Sequence, residues 1–482
     1  MNALISFQLY LLPQKKYMDK IKFGTDGWRA IIAQEYTVQN VARVAYATAV
    51  WLQQTREVPV VVVGHDCRFA GELFTETAIR VLTAQGVKVI AAKGFVSTPM
   101  ISLAVLMHKA DQGIVITASH NPPSYNGFKL KGAHGGPTPP DQIAEVEALI
   151  PDHEVAISGD LKALEASGAL TYVDLESEYI RYIETKFDIP ALNRSPLKMA
   201  YDAMFGAGQN VMKKLFPHAV HLHCEVNPSF QGTAPEPLHK NLIALSDTIR
   251  TTPELKFGLA NDGDADRIAL YDEDGKYIDS HHIILLLIHY LHQYKKLNGK
   301  VAIAASTTLR VNKLCELYGL PCEVTPIGFK YISQIMMHED VLVGGEESGG
   351  ISVKGHIPER DGIYDGLVIY EFMNQTGKSL KELCAEMYAL VGEFHYERAD
   401  LHLTEAAKQH AMDLCKAGIT SFGKYQVVET NLIDGYKYEL PNDCWTMVRA
   451  SGTEPLLRIY AEGNTKEDVM DILQTVRATL GV

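Results

Sequence analysis

The sequence predicts an α/β protein of three similar α/β domains in succession, followed by a smaller α+β C-terminal domain. Three observations carry this. Continuous β-branched runs (VPVVVVGHD, VKVIAA, GIVI) alternate with helix-like stretches after residue 40, the pattern of a parallel sheet covered on both faces. The alternation restarts twice, near residues 197 and 281. From about residue 396 it gives way to mixed short strands with two helices.

The elements follow in order. NVARVAYATAVWLQQ has an amphipathic helical period, and further helix-like stretches run from Glu72 to Gln85 and from Met100 to Lys109. The second unit has the strand LKMAYD, a Gly-rich turn FGAGQN, the helix-like NVMKKLF and the strand KFGLAND. The third has VAIAAS, a helix from Leu309 to Tyr318, VLVGGEES and the helical DGLVIYEFM. The last has HYERADLHL, EAAKQHAMDLCKAG, WTMVRAS, LLRIYAEG and KEDVMDILQTVRATL. Junctions are expected near 168, 280 and 395, giving a tail 1–20 and domains 21–167, 168–279, 280–395 and 396–482.

Composition narrows the function. With 482 residues, 46% hydrophobic and 21% charged, the chain has the balance of a soluble multidomain enzyme. A net charge of -13 without a Lys/Arg tract argues against a nucleic-acid partner. Seven cysteines without CxxC pairing indicate neither a disulfide framework nor a zinc module and point to the reducing cytoplasm. The first seventeen residues lack a basic region and a cleavage site, so they are read as a tail, with Met18 as an alternative start. No stretch approaches about 18 uninterrupted apolar residues, so no membrane partner is expected. Nothing in the sequence specifies an oligomeric state.

Four loops carry chemistry. In GIVITASHNPPSYNGFK a buried strand stops at Ser119 and His120, followed by Asn121-Pro122-Pro123 and, further on, Lys129. A hydroxyl at the C-terminal end of a parallel strand faces the ligand crevice and has the components of an activated nucleophile; a capped Asn-Pro turn is the alternative. In NDGDADR, Asp262, Asp264 and Asp266 alternate and can converge on a hard cation such as Mg²⁺ or Ca²⁺, with Arg267 beside them for a phosphate. An EF-hand is excluded because Arg267 stands where the turn needs glycine and the flanks are strands; a solvated acidic turn is the alternative. GGEESGG offers Glu346 and Ser348 for sugar hydroxyls, or is only a glycine-rich turn. RASGTEPLLR offers Arg449, Ser451, Gly452 and Thr453, with Arg458 nearby, for a phosphate, or is a surface turn. Arg29 in KFGTDGWR and Lys330 in TPIGFK are further candidates, each with a structural salt bridge or a solvated side chain as the alternative.

Together and in this order, GTDGWR, TASHNPPSYNGFK, DGDADR, GEESGG and RASGTEP resemble the motif set of the α-D-phosphohexomutases, from about residue 21 to the end. The resemblance implies four domains around a central active-site cleft, with one loop from each. It implies that Ser119 carries a phosphoryl group and that Asp262, Asp264 and Asp266 hold Mg²⁺ together with a phosphoserine oxygen. Glu346 and Ser348 then match the sugar loop, and Arg449, Ser451, Gly452 and Thr453 the phosphate loop. The implied reaction interconverts hexose 1-phosphate and hexose 6-phosphate through a hexose 1,6-bisphosphate, with glucose 1,6-bisphosphate as activator. Arg267 and Arg29 attend the transferring group, and Lys129 is expected to be the base, supported by His120 and depressed in pKa by neighbouring Arg or Lys charge. Glucose is the expected sugar, since Gly350 stands where some dual glucose/mannose members have His. A phosphomannomutase or dual-specificity mutase, a phosphatase, or a non-catalytic phosphosugar-binding protein are the rival expectations.

Overall fold

The computed structural model describes residues 20–450 and 456–482, so the expected tail up to residue 19 and Ser451, Gly452 and Thr453 lie outside the described residues. β1 (Trp28–Ile31), β2 (Val60–His65), β3 (Lys88–Ala92), β4 (Gln112–Ile116), β5 (Tyr125–Gly132) and β6 (Leu170–Val173) form one sheet, in the order β1-β5-β4-β2-β3-β6. β7 (Lys198–Asp202), β8 (Val220–Leu222), β9 (Leu255–Asn261), β10 (Ile268–Tyr271) and β11 (Tyr277–Ile278) form the second, β11-β10-β9-β7-β8. β12 (Lys300–Ala304), β13 (Cys322–Thr325), β14 (Val341–Gly345) and β15 (Ile351–Val353) form the third, β13-β12-β14-β15.

These sheets share one plan that the sequence did not align. Three parallel strands are followed by one antiparallel strand: β5 after β4, β10 after β9, β15 after β14. The expected purely parallel sheet is therefore mixed. The reason is loop length, because a parallel crossover needs about a dozen residues or more and segments 117–124, 262–267 and 346–350 are shorter, so each following strand must return. β6 pairs in parallel with β3, so the first sheet reaches Val173, beyond the junction expected at 167.

The fourth domain is an antiparallel sheet of β16 (His395–His402), β19 (Glu429–Asn431), β20 (Tyr436–Leu440), β21 (Cys444–Ala450) and β22 (Leu456–Gly463), in the order β16-β22-β21-β20-β19, beside a small ribbon of β17 (Ser421–Phe422) and β18 (Tyr425–Gln426). Helices Glu405–Ala417 and Lys466–Leu480 cover one face, packing Ala411, Val469 and Ile472 on Val448 and Ile459. The other face brings Trp445, Met447 and Tyr460 against Ala305 of the third domain.

One apolar cluster, including Val62, Tyr179, Phe257, Leu286 and Leu367, runs through the first three domains, so their sheets are held as a unit. Caps fix where the helices next to the cleft begin: Ser97 accepts from Met100 N–H, and Asp361 from Ile363 and Tyr364 N–H. Among the described residues no helix is long and apolar enough to cross a membrane.

Gly127 on β5 marks the tightest point under the Ser119 turn: a Cβ there would lie 2.4 Å from Thr117 O and 2.8 Å from Trp28 O. Gly127→Ala is expected to cost about 1–3 kcal/mol, measured as a lower midpoint in chemical denaturation.

Candidate active site

All three shared turns meet one another. On the first, Ser119 is buried and its backbone is left-handed, with φ +51°. Such a conformation costs a non-glycine residue of order 1–3 kcal/mol, so the surroundings must hold it. Thr117 Oγ1 accepts from Ser119 N–H at 2.9 Å, and Thr117 in turn donates to Asp66. Arg68 holds the rest of the turn, donating to the carbonyls of Ser119 and Asn121 (both 2.6 Å), Pro122 (2.9 Å) and Tyr125 (3.1 Å). Its own N–H rests on Asp66 at 2.9 Å. Arg29 Nη1 donates to Asn121 Oδ1 at 2.8 Å. The prolines therefore share the task with a buried arginine.

Ser119 Oγ donates to Asp262 Oδ2 at 2.7 Å, which joins the first turn to the second. The approach depends on Gly263, where a Cβ would lie 2.5 Å from Ser119 O. The 262–267 turn is braced on several sides. Ala207 N–H donates to Gly263 O, Asn261 Nδ2 to Arg267 O, and Gly362 N–H to Ala265 O. Thr98, at the start of a first-domain helix, donates to Asp264 through both its hydroxyl and its N–H.

Asp262, Asp264 and Asp266 are fully buried, with one oxygen from each within 4.8 Å of the others. Burial, then repulsion from Asp264 and Asp266, pushes the Asp262 carboxyl well above the usual range. Asp264 Oδ1 and Asp266 Oδ1 are buried without a hydrogen-bond partner. An all-oxygen set with unsatisfied inward atoms fits a hard divalent cation of the Mg²⁺ type.

The opposite oxygens of Asp264 and Asp266 are already engaged. Lys129 Nζ lies 2.8 Å from Asp264 Oδ2, 3.1 Å from Asp266 Oδ2 and 2.9 Å from Asp26 Oδ2. Arg360, from the third domain, reaches Asp26 at 2.6 Å and Asp266 at 2.8 Å. The pKa expected for Lys129 is thus reversed. Burial works against its charge, but three carboxylates outweigh both burial and Arg360 and raise it above its ordinary value, so it is an ammonium. His120 behaves oppositely: burial, then Arg267, Arg29, Lys129 and Arg68, hold it well below the ordinary imidazole value. The ring is neutral at pH 7, with Nδ1 3.3 Å from Ser119 Oγ.

The third turn is tied to the second through its glycines. Ile268 N–H donates to Gly349 O at 3.0 Å, and a Cβ at Gly349 (φ +90°) would lie 2.7 Å from Ile268 O. Glu346 accepts from Gly328 N–H at 2.8 Å, and burial pushes its carboxyl up to about 7. Ser348 is half-buried. Lys330 lies over the Tyr331 ring and lines a cleft of about 410 Å³ with Thr25, Asp26 and Lys22. Arg449 and Arg458 are on the fourth domain, paired with Asp434 at 3.0 Å and Asp400 at 3.5 Å, and neither contacts the Ser119 group. Asp434 also accepts from Ile327 N–H, which ties that strand end to the Lys330 loop.

Sequence reasoning missed Asp26, Asp66, Arg68, Thr98 and Arg360. Asp66 and Arg68 follow β2 in VVVGHDCR, at the same strand end as Ser119 on β4, and that position was the available signal. Arg360 had none, since its partners lie in the other two domains.

Four segments match the domains of one family: phosphoglucomutase/phosphomannomutase α/β/α domain I over residues 20–156, domain II over 177–275, domain III over 279–391 and the C-terminal domain over 405–479. A probable phosphoglucosamine mutase of Methanothermobacter thermautotrophicus is 30% identical, over 95% of this chain and 97% of that protein. A crystal structure of a candidate phosphomannomutase from Thermus thermophilus superposes with TM-score 0.85 at 32% identity, over 96% of this chain and all of that one. An Aspergillus fumigatus N-acetylphosphoglucosamine mutase, crystallised with GlcNAc-6P and magnesium, shares the fold at TM-score 0.59 and 16% identity, over 96% of each chain.

Replacing Arg68 by Met removes four hydrogen bonds to the carbonyls of the turn and the cation beside the buried Asp66 carboxylate. A loss of about 3–5 kcal/mol is expected, read from chemical denaturation of the full chain.

Proposed function

Since the chain belongs to the α-D-phosphohexomutase family, whose members are isomerases, we propose that it interconverts glucose 1-phosphate and glucose 6-phosphate through phosphorylated Ser119 and a glucose 1,6-bisphosphate. One observation carries the reading: Ser119 Oγ, on a strained and fully braced turn, meets the buried Asp262 carboxylate where three domains converge.

In the first half-reaction the O–P bond at Ser119 breaks, an O–P bond forms at a sugar hydroxyl, and the hydroxyl proton passes through the chain to the released Ser119 Oγ. His120, neutral and beside Ser119 Oγ, is the acceptor in this reading, in place of Lys129. Lys129 instead balances the carboxylates, while Arg267 and Arg29 face the transferring oxygens. Magnesium held by Asp262, Asp264, Asp266 and the Ser119 oxygen supplies Lewis-acid neutralisation of those oxygens when bound. In the second half-reaction the bisphosphate has turned over, its other phosphoryl group returns to Ser119, and the sugar oxygen recovers the proton. Added glucose 1,6-bisphosphate activates by loading Ser119.

The phosphate that stays behind is held by Arg449, Ser451, Gly452, Thr453 and Arg458, with Lys330 at the sugar's edge. Glu346 and Ser348 take hydroxyls. Gly350 supports glucose over a dual specificity, because a Cβ there would lie 2.4 Å from Arg360 Cδ and leaves no place for a histidine. A glucosamine phosphate is the second reading, supported by the 30% identical relative of that name. All seven cysteines are free thiols, which supports a cytoplasmic location.

Purified protein with Mg²⁺ and a trace of glucose 1,6-bisphosphate is expected to interconvert the glucose phosphates faster than those of mannose or glucosamine in a coupled assay. Inactivity on all three overturns the mutase reading. Ser119→Ala is expected to abolish turnover, and intact mass to show about 80 Da on wild type that is lost on adding sugar phosphate. His120→Gln is expected to lower kcat by about 10²-fold with KM little changed.

A further inference from the structure

Glu236 lies in the second domain between Pro235 and Pro237, and its backbone has almost no freedom. Its N–H donates to Ala234 O, its carbonyl accepts from Leu238 N–H (both 2.8 Å) and Asn241 Nδ2 (2.9 Å), and Tyr277 OH donates to Pro237 O at 2.9 Å. Pro235 abuts the metal turn, its Cγ 3.0 Å from where a Gly263 Cβ would stand. The side chain is therefore aimed, and what it reaches is unusual. A single oxygen, Oε1, stands 3.8 Å from Arg267 Nη1 and 3.8 Å from Arg398 Nη2.

Arg398 is on β16 of the fourth domain. Its register neighbour is Tyr460, Asp400 stands opposite Arg458, and Arg458 opposite Arg449, so Arg398, Arg449 and Arg458 share one face of adjacent strands. Arg267 Nε and Arg458 Nε are buried without hydrogen-bond partners. Among the described residues, Glu236 with Arg398 is the one ion pair joining the second domain to the fourth.

We propose that Glu236 and Arg398 form a positioning pair that sets where the arginine face of the fourth domain stands relative to the transfer site. The inference rests on the mutase reading for what is positioned, the phosphate that stays behind. At 3.8 Å the carboxylate makes a hydrogen bond to neither guanidinium; Arg398 Nη2 donates to Asp400 Oδ2 at 3.0 Å, and each guanidinium keeps further donors for phosphate oxygens. Its charge meanwhile offsets the repulsion between cations brought together from two domains. Because Glu236 is fixed to the metal turn through Pro235, the distance it sets is measured from the atoms that react.

A double-mutant cycle tests this in the full-length, Mg²⁺-loaded enzyme. Glu236→Gln and Arg398→Gln are each expected to raise KM for the sugar phosphate by roughly tenfold with kcat changed far less, and the double variant to be no worse than either. Arg398→Lys, which keeps the charge, is expected to recover part of the loss. A readout independent of turnover is the distance between spin labels at exposed Lys240 and Glu405, expected to be narrow in wild type and broadened in both single variants. Unchanged KM, additive effects, or label distances identical in all variants would overturn the pair. A wild type inactive on every hexose phosphate would refute the mutase reading, and the label distances alone would then decide the pair.

Discussion

Lys129 reaches from β5 of the first domain to Asp264 and Asp266 of the second, and Asp26 links it to Arg360 of the third. Charges buried this deeply are costly unless each has its partner, and here the second domain's Asp264 and Asp266 find their cations in the other two domains. The second domain carries an excess of carboxylate, the first supplies an ammonium and the third a guanidinium. Asp264 and Asp266 gain their cation partners only when the three are assembled. The site therefore forms as a condition of folding, and the Ser119 turn, the 262–267 turn and the Glu346 turn are held in register by the same contacts.

Much of this was legible in the sequence. Ser119, Asp262, Asp264, Asp266 and Glu346 stand in short polar turns that interrupt apolar strands, and such interruptions are visible because strand cores are nearly uniform in composition. The α/β alternation and the change to α+β near residue 396 were visible for the same reason. What escaped depends on long-range pairing. Asp26 and Arg360 acquire their roles from partners in other domains, and the charge state of Lys129 depends on which charges lie within a few ångströms, not on which are adjacent in the chain. The repeated strand order was hidden because it resides in hydrogen-bond pairing, which unrelated apolar residues satisfy equally well.

Glycines complete the site by what they leave out. Gly263 lets the cation turn touch the Ser119 carbonyl, Gly349 lets the sugar turn hydrogen-bond to Ile268, and Gly350 leaves space that the Arg360 stem occupies. Contacts of backbone on backbone are stiffer than contacts between side-chain tips, so the geometry among the first three turns varies little. The fourth domain is attached through side chains: Lys437 donates to Ala305 O and Thr307 O, and Arg310 to Asp443.

The shared plan of the first three sheets has a consequence for how such a protein can change. In each, the functional turn lies between the last parallel strand and the antiparallel strand that follows, and the strands on either side are fixed by pairing that does not depend on the turn's residues. One strand plan repeated three times thus presents three sockets at equivalent places, carrying Ser119, the group of Asp262, Asp264 and Asp266, and Glu346. The strand frame of each socket can therefore outlast changes in its residues, while the contacts between sockets limit which changes leave the site assembled.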